Sequence, residues 1–260
     1  MEHSKSSYSL DVVIPVLNEE EKLVPKVQEL HQFLSLHMSD FQWRIVIADN
    51  GSTDSTLLLA QDLAKEFHQV GCLRLTQRGR GRALRKAWSE SDADIVSYMD
   101  VDLSTRLNYF PPLVKAVAYE GSSIAIGSRL KAGAKVTGRS PKREFISRVY
   151  SCIFRTMFLT GFRDAQCGFK ALNRQAVKDI VPLVQDNGWL FDTELLLLAE
   201  NNGYRIAEVP VEWVDDPDSR VRIARTAYDD LKGLLRLRFG GLRRASTVLK
   251  SSPKIIYRSE

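Results

Sequence analysis

With 260 residues, 44% hydrophobic and 27% charged, the chain has enough apolar mass for a full core, and its composition excludes a disordered or fibrous protein. Its three cysteines, Cys72, Cys152 and Cys167, are odd in number and lack metal-ligand spacing. That argues against a disulfide scaffold, suits a reducing compartment, and leads us to expect each thiol as a small buried hydrophobe. The net charge of +5 belongs to one end: from Arg220 to Glu260 there are 11 Lys/Arg against 3 Asp/Glu, whereas residues 1–219 carry 26 against 29. Met1 to Ser7 has no apolar leader core, and nowhere do about 18 apolar residues run together, so neither export nor a spanning helix is expected.

In chain order, Leu10 to Val16 is a β-branched run ending near Pro15 and reads as a buried strand. The acids Glu19, Glu20 and Glu21 open a helix running to about His37. Trp43 to Ala48 is a second strand, and the turn-forming Asp49-Asn50-Gly51-Ser52-Thr53-Asp54 precedes a helix over 55–67. Cys72 to Thr76 makes a third strand, followed by a basic loop, a helix to about Glu90, and a fourth strand at Ile95 to Met99. Such alternation predicts βαβ crossovers and a parallel sheet. Further on, the pattern predicts a helix starting near Pro111 and Pro112, a strand at Ser123 to Gly127 and a mobile Gly/Lys/Ser-rich loop over 131–141. It then predicts a helix over 143–159 with Ile146, Tyr150, Ile153, Met157 and Phe158 on one face, a segment at 169–172, helices over 175–184 and 191–201, and a strand at 206–213. From 222 to 242, Leu231, Leu234, Leu235, Leu237 and Leu242 interleave with Arg236 and Arg238 and run up to Arg243 and Arg244. We therefore divide the chain into an α/β domain at 8–219 and a basic amphipathic helix and tail at 220–260.

The apolar run Ile95 to Met99 stops at Asp100-Val101-Asp102. A strand ending there delivers both acids to the crevice where open α/β sheets bind ligands, and a hard cation such as Mg²⁺ takes one or two carboxylates together with substrate phosphates. Turn chemistry or a helix N-cap would explain the same spacing. Pro15 to Glu19 and Asp49 follow strands of the same sheet and would line the same crevice, where an acid accepts hydrogen bonds from a ribose hydroxyl or a base N–H. Each alone reads as a helix-start acid or an Asx turn. The loop Gln77-Arg78-Gly79-Arg80-Gly81-Arg82 suits a diphosphate better than RNA, because no aromatics interleave with its arginines. No nucleic-acid partner is expected.

Taken together and in this order, VVIPVLNEE, IADNGSTD, MDVDLS and AIGSR resemble a family 2 glycosyltransferase of the GT-A fold. The later DAQCGFKALNR, GWLFDTELL and VPVEWVDDPDSR are similar to the branch that transfers hexose to a polyprenyl phosphate, which includes dolichyl-phosphate mannose synthases and glucosyltransferases. The resemblance spans about Leu10 to Arg220. It implies an inverting transferase in which Pro15, Glu19, Asp49 and Asp100 contact the donor, and in which Asp102, with Asp100, holds Mg²⁺ or Mn²⁺. Arg129, Arg143, Arg148 and Arg220 are the candidates for holding the acceptor phosphate, guanidinium forks being suited to it. Asp164 and Glu194 are assigned positioning roles. Leu17 departs from the family pattern, which often has an aromatic there, and Ser104 stands where several mannose synthases have Gln. A phosphate acceptor is already anionic at neutral pH and is a nucleophile without a general base.

A polyprenyl phosphate resides in a bilayer, so such an enzyme must visit the membrane surface. The helix over 143–159 and the basic 222–244 segment have the pattern of interfacial helices, with packing onto the body as the competing explanation. The expected location is cytoplasmic, peripheral to the cytoplasmic face of a membrane. Glucose and mannose, and UDP and GDP, stay open at this point. So do a soluble acceptor and a non-catalytic basic binding module.

Overall fold

The computed structural model describes residues 7–215 and 223–251. Among the described residues nine runs become strands: β1 (Ser9–Val16), β2 (Gln42–Asp49), β3 (Val70–Arg74), β4 (Ile95–Met99), β5 (Ile124–Ser128), β7 (Phe169–Asn173) and β8 (Ile206–Pro210) form one seven-stranded sheet, and β6 (Lys135–Thr137) pairs with β9 (Glu212–Val214) in a second. The large sheet has the order β3-β2-β1-β4-β7-β5-β8, parallel except for β7. Helices α1 (Leu23–His37), α2 (Thr56–Glu66) and α4 (Phe110–Ala118) cover one face. Helices α3 (Arg80–Ser89), α5 (Pro141–Phe158), α6 (Arg174–Ile180) and α7 (Phe191–Asn201) cover the other.

Strand periodicity explains the two-sided core. Leu10, Val12, Ile14 and Val16 of β1 enter one apolar layer, while Val13 enters the second. Each fully buried aliphatic side chain contributes about 1.5–3 kcal/mol of transfer free energy, which makes both faces adhesive and fixes the strand register.

The exception to parallel order matters for the site. After α5 the chain returns to the edge where β4 has just ended, so β7 enters there and runs backwards, pairing Phe169 with Met99. The DAQCGF turn thereby comes to lie beside Asp100.

Several expectations need correction. The third strand lies two residues earlier than expected, at Val70–Arg74. The loop over 131–141 contains β6, which is held by its pairing with β9. The expected strand over 206–213 divides at Val211: β8 ends at Pro210, which has no N–H to give, and β9 starts at Glu212 in the other sheet. Helix α6 stops at Ile180 and passes into a 3-10 turn at Val181–Leu183, where Pro182 lies. Of the cysteines only Cys167 is buried; Cys152 is exposed on α5 and Cys72 is intermediate.

The C-terminal segment is also interrupted. Helix α8 (Ile223–Arg236) and helix α9 (Leu242–Ser251) are separated by a π-type break at Leu237–Gly241, where Gly240 has φ +122°. Leu234 and Leu237 are buried in the second core layer, and Leu242, Ala245 and Leu249 pack against it. Gly233 lets α8 approach closely, since a Cβ there would lie 1.9 Å from Leu190 Cδ2. Of the two explanations for the apolar face of α5, lipid contact or packing on the body, Tyr150, Ile153, Met157 and Phe158 follow the second and pack on the body. Phe145 (68% exposed) and Val149 (40%) face outward in its place. Among the described residues no helix is long and apolar enough to cross a membrane.

Candidate active site

Strands β1, β2 and β4 end at the same edge, and their loops are tied to one another by short polar side chains. The register pairs Pro15 with Ala48 and Val16 with Asp49. Beyond β1 the backbone turns through Asn18 in the left-handed region, φ +53°, which Asn tolerates better than most residues. Its Oδ1 accepts from the Thr53 amide at 2.9 Å, and its own N–H donates to Ser52 Oγ at 3.0 Å. The Glu19 amide donates to Thr56 Oγ1 at 2.8 Å. Glu19 therefore sits partly buried at the rim, on a loop fixed from two sides.

Asp49 closes β2 with no exposed surface. Its Oδ1 accepts from the Ser52 amide at 3.2 Å, whereas Oδ2 is buried without a hydrogen-bond partner among the described residues. An unsatisfied buried acceptor costs about 1–3 kcal/mol, so Oδ2 favours any donor, from water or a ligand, that can reach it. Asn50 next to it accepts from the Gly79 amide at 2.7 Å, which anchors the basic loop to this edge. Gly79 has φ +152° and is packed so that a Cβ would meet Asn187 O at 2.6 Å.

At the end of β4, Asp102 Oδ1 accepts from the Ser104 amide at 2.9 Å, an Asx turn. The turn passes through Leu103 at φ +53°, and the chain after it is held by a bridge from Thr105 to Trp213 of β9. Asp100 is placed differently. Its Oδ1 receives Arg80 Nη2 at 2.8 Å, and the Gly168 backbone lies against it so closely that a Cβ there would come within 1.8 Å of Oδ2.

A second group of charged side chains, arginines paired with carboxylates, gathers at the end of β5 and on the segments around α5. At the end of β5, Arg129 gives its backbone N–H (2.9 Å), Nε (2.8 Å) and Nη2 (2.9 Å) to the Asp164 carboxylate. The guanidinium lies 4.9 Å from the Trp213 ring centroid. Burial alone would raise the Asp164 pKa, but the charge and hydrogen bonds of Arg129 hold it below the usual carboxylate range. Arg143, on the first turn of α5, donates to Asp215 at 2.7 Å. Arg139, absent from the expected set, is 7% exposed and pairs with Glu144 at 3.2 Å. Its pKa is lowered by burial and by the charge of Arg129. Arg148 also pairs with Glu144, at 2.6 Å, but is 65% exposed on the outer side of α5. Arg220 lies outside the described residues.

The structure separates the acids of the FDTE segment. Glu194 is turned away from the strand ends, accepting from Arg236 of α8 at 2.7 Å and from the Asp186 amide at 2.9 Å. Asp192 faces the crevice through Arg80, with Tyr98 and Lys170 around it. Of these four, Arg80 stands in the sequence only as part of a basic loop, Tyr98 belongs to no motif there, and Lys170 has no role of its own within DAQCGFKALNR. A signal existed: Lys170 interrupts an otherwise apolar buried strand, and a fully buried lysine demands a partner.

The mostly parallel seven-stranded sheet, covered by helices on both faces and carrying acids at the ends of β1, β2 and β4, is the GT-A type of fold. Residues 11–181 match the family described as Glycosyl transferase family 2, and the chain belongs to that family. It is 33% identical over 217 residues to the glycosyltransferase AglD of Haloferax volcanii, covering 83% of this chain but 35% of that one. It is 31% identical over 253 residues to the dolichyl-phosphate β-glucosyltransferase of Saccharomyces cerevisiae, covering 90% of this chain and 75% of that one. Among solved structures, glucosyl-3-phosphoglycerate synthase of Mycobacterium tuberculosis, in complex with Mn²⁺, UDP-glucose and phosphoglyceric acid, superposes with a TM-score of 0.62 at 18% identity, covering 94% of this chain and 81% of that one. The protein is a glycosyltransferase.

Proposed function

We propose that this glycosyltransferase moves a hexose, with inversion, from a UDP- or GDP-sugar to a polyprenyl (dolichyl) phosphate at the cytoplasmic face of a membrane. The observation that carries the reading is the division of the crevice, with the buried unpaired Asp49 oxygen and the Asp100/Asp102 pair on one side and the arginines on the other. Relatives named dolichyl-phosphate β-glucosyltransferases support the lipid phosphate and favour glucose.

On the donor side, Pro15 and Glu19 wall the nucleotide and Asp49 Oδ2 accepts a hydrogen bond from its base or ribose. The residues at the end of β4 that would hold a cation are two aspartates, hard oxygen donors of the kind that suit Mg²⁺ or Mn²⁺. Asp102 would be the principal ligand, with Asp100 beside it. When bound, the cation neutralises charge developing on the departing nucleoside diphosphate.

On the acceptor side the requirement is cationic positioning. Arg129, held by Asp164, together with Arg143 and Arg139, orients the phosphate so that one of its oxygens meets the anomeric carbon opposite the diphosphate. The new C–O bond forms as the bond to the diphosphate oxygen breaks, through a transition state of oxocarbenium character. No proton has to be removed from the acceptor, so the site needs no strong base there. Arg148, exposed on the outer side of α5, would serve the same anionic headgroup region from further out, Arg220 is a further candidate for the acceptor phosphate, and Glu194 positions α8 through Arg236.

Membrane contact rests on apolar groups that point outward next to arginines. Phe239 is 83% exposed at the α8–α9 break, flanked by Arg236, Arg238, Arg243 and Arg244, and Tyr228 is 69% exposed on α8. Phe239→Ser should weaken flotation with anionic liposomes several-fold while leaving sugar-nucleotide binding unchanged; unchanged flotation would remove the break from the membrane surface. The donor half is tested by thermal shift with UDP, GDP, UDP-glucose and GDP-mannose, with and without Mn²⁺, because a ligand stabilises only the folded state it binds. One nucleotide series should raise the midpoint, and more so with Mn²⁺. A flat response to all four contradicts the donor assignment.

A further inference from the structure

Asp192, in the first turn of α7, is a buried carboxylate with more cations than its own charge requires. Its Oδ1 receives Lys170 Nζ at 2.9 Å and the Tyr98 hydroxyl at 2.5 Å, and its Oδ2 receives Arg80 Nη1 at 2.8 Å. Lys170 has no exposed side-chain surface, donates also to the Tyr98 hydroxyl at 3.2 Å and to Cys167 O at 2.6 Å, and would neutralise the charge of Asp192 by itself. Arg80 is the surplus charge. Its second terminal nitrogen reaches Asp100 Oδ1 at 2.8 Å, at the end of β4. The guanidinium is 11% exposed and lies between two rings, 5.1 Å from the centroid of Tyr98 and 4.8 Å from that of Trp189.

This arrangement gives Asp100 one orientation. Arg80 pulls Oδ1 from one side, and Gly168 presses the other, where a Cβ would lie 1.8 Å from Oδ2. Planar guanidinium is suited to this task because its two terminal nitrogens serve two carboxylates in a fixed geometry, which an ammonium does not reproduce. Asp192 is not arranged as a base: both its oxygens are taken by donors, and although burial would raise its pKa, Lys170 and Arg80 hold it below the usual carboxylate range.

We propose that Asp192 is a positioning residue for glycosyl transfer, acting through Arg80 to fix the carboxylate of Asp100 against the donor. The inference rests on the reading of Asp100 as a donor-side group. A misplacement of about 1 Å at such a group costs up to about 100-fold in rate.

The test is a set of coupled substitutions read by steady-state kinetics and by UDP affinity. Asp192→Asn, Arg80→Lys and Asp100→Asn should each lower kcat/KM by roughly 10- to 100-fold, and Asp192→Asn and Arg80→Lys should keep UDP affinity, measured without divalent cation and set at Asp49, within about threefold of the native protein. The pairs Arg80→Lys with Asp192→Asn, and Asp100→Asn with Asp192→Asn, should be no worse than the poorer single variant, because residues acting as one unit are not additive. A purely structural role would lower UDP affinity in step with turnover. Arg80→Lys keeps a cation beside Asp192 and so preserves the charge balance if Asp192→Asn fails to fold. Native-like turnover in Arg80→Lys, or losses that multiply in the double variants, overturns the proposal. Native-like turnover in Asp100→Asn overturns instead the donor role of Asp100.

Discussion

The two walls of the crevice are built on different principles. The wall we assign to the donor consists of regular strand ends whose loops are laced by neutral hydrogen bonds among Asn18, Ser52, Thr53 and Thr56, leaving one buried carboxylate oxygen of Asp49 without a partner among the described residues. The wall we assign to the acceptor is made of ion pairs, Arg129 with Asp164, Arg143 with Asp215 and Arg139 with Glu144, gathered from a strand end, the segments beside a short two-stranded sheet and a helix. A nucleotide has fixed shape and polar edges, which reward a rigid wall with a reserved acceptor. A phosphate on a flexible lipid rewards strong, orientable charge.

The largest effect should come from the metal position. Asp102→Ala should reduce turnover by roughly 10²–10³-fold, as loss of a group that stabilises leaving-group charge does elsewhere, and should remove the Mn²⁺-dependent part of the UDP thermal shift. Turnover at the native rate would place the cation elsewhere. On the opposite wall, Arg143→Ala removes a charge-assisted contact worth about 1.5–3 kcal/mol. It should raise KM for the lipid phosphate by 10-fold or more and leave KM for the sugar nucleotide alone. If both constants move together, the walls are not separate.

Asp49→Ala sharpens the contrast from the donor side. It should lower nucleotide affinity by about 1–3 kcal/mol, yet the protein without nucleotide should melt only slightly lower than the native one, because the deleted side chain carries an unsatisfied acceptor along with the single long bond from the Ser52 amide. A cooperative loss of stability would mean that Oδ2 has a structural partner.

The smallest effect concerns α8. Asp230 is buried and accepts from Gln166 Nε2 at 2.6 Å. Burial, outweighing that hydrogen bond, raises its pKa to about 6, with nearby Asp186 adding to the rise. Because the folded-state value lies above the unfolded one, its contribution to stability is full below the unfolded pKa and is lost as pH rises through about 6. Asp230→Asn should therefore raise the melting temperature at pH 7.5 by a few degrees and have little effect at pH 4. The opposite pH order would contradict burial as the cause.

Which parts of this were legible in the residues follows the same division. β4 was placed at its observed ends, and β1 and β2 within a residue or so, because β-branched runs bounded by turn residues encode a buried parallel strand almost locally. The acids at those ends were named from the same signal. Less was legible where partners are distant in sequence. β6 is too short to stand out and exists through β9, which lies some seventy residues further on in the chain. Arg80 and Asp192 are 112 residues apart, so nothing local shows that a basic-loop arginine turns inward to a helix-start acid. The apolar face of α5 was visible as a stripe, but amphipathicity does not say whether a stripe meets lipid or the second core layer, and here much of it meets the core.

The central claim is that the arginine wall receives a phosphate. It is tested by comparing hexose transfer from the thermally selected sugar nucleotide to a short-chain polyprenyl phosphate, to the same polyprenol without phosphate, and to phosphoglycerate, with the product's anomeric configuration read by NMR coupling. The account predicts transfer to the polyprenyl phosphate alone, with inverted configuration. Equal transfer to the free alcohol, or transfer confined to the soluble acid, would contradict it.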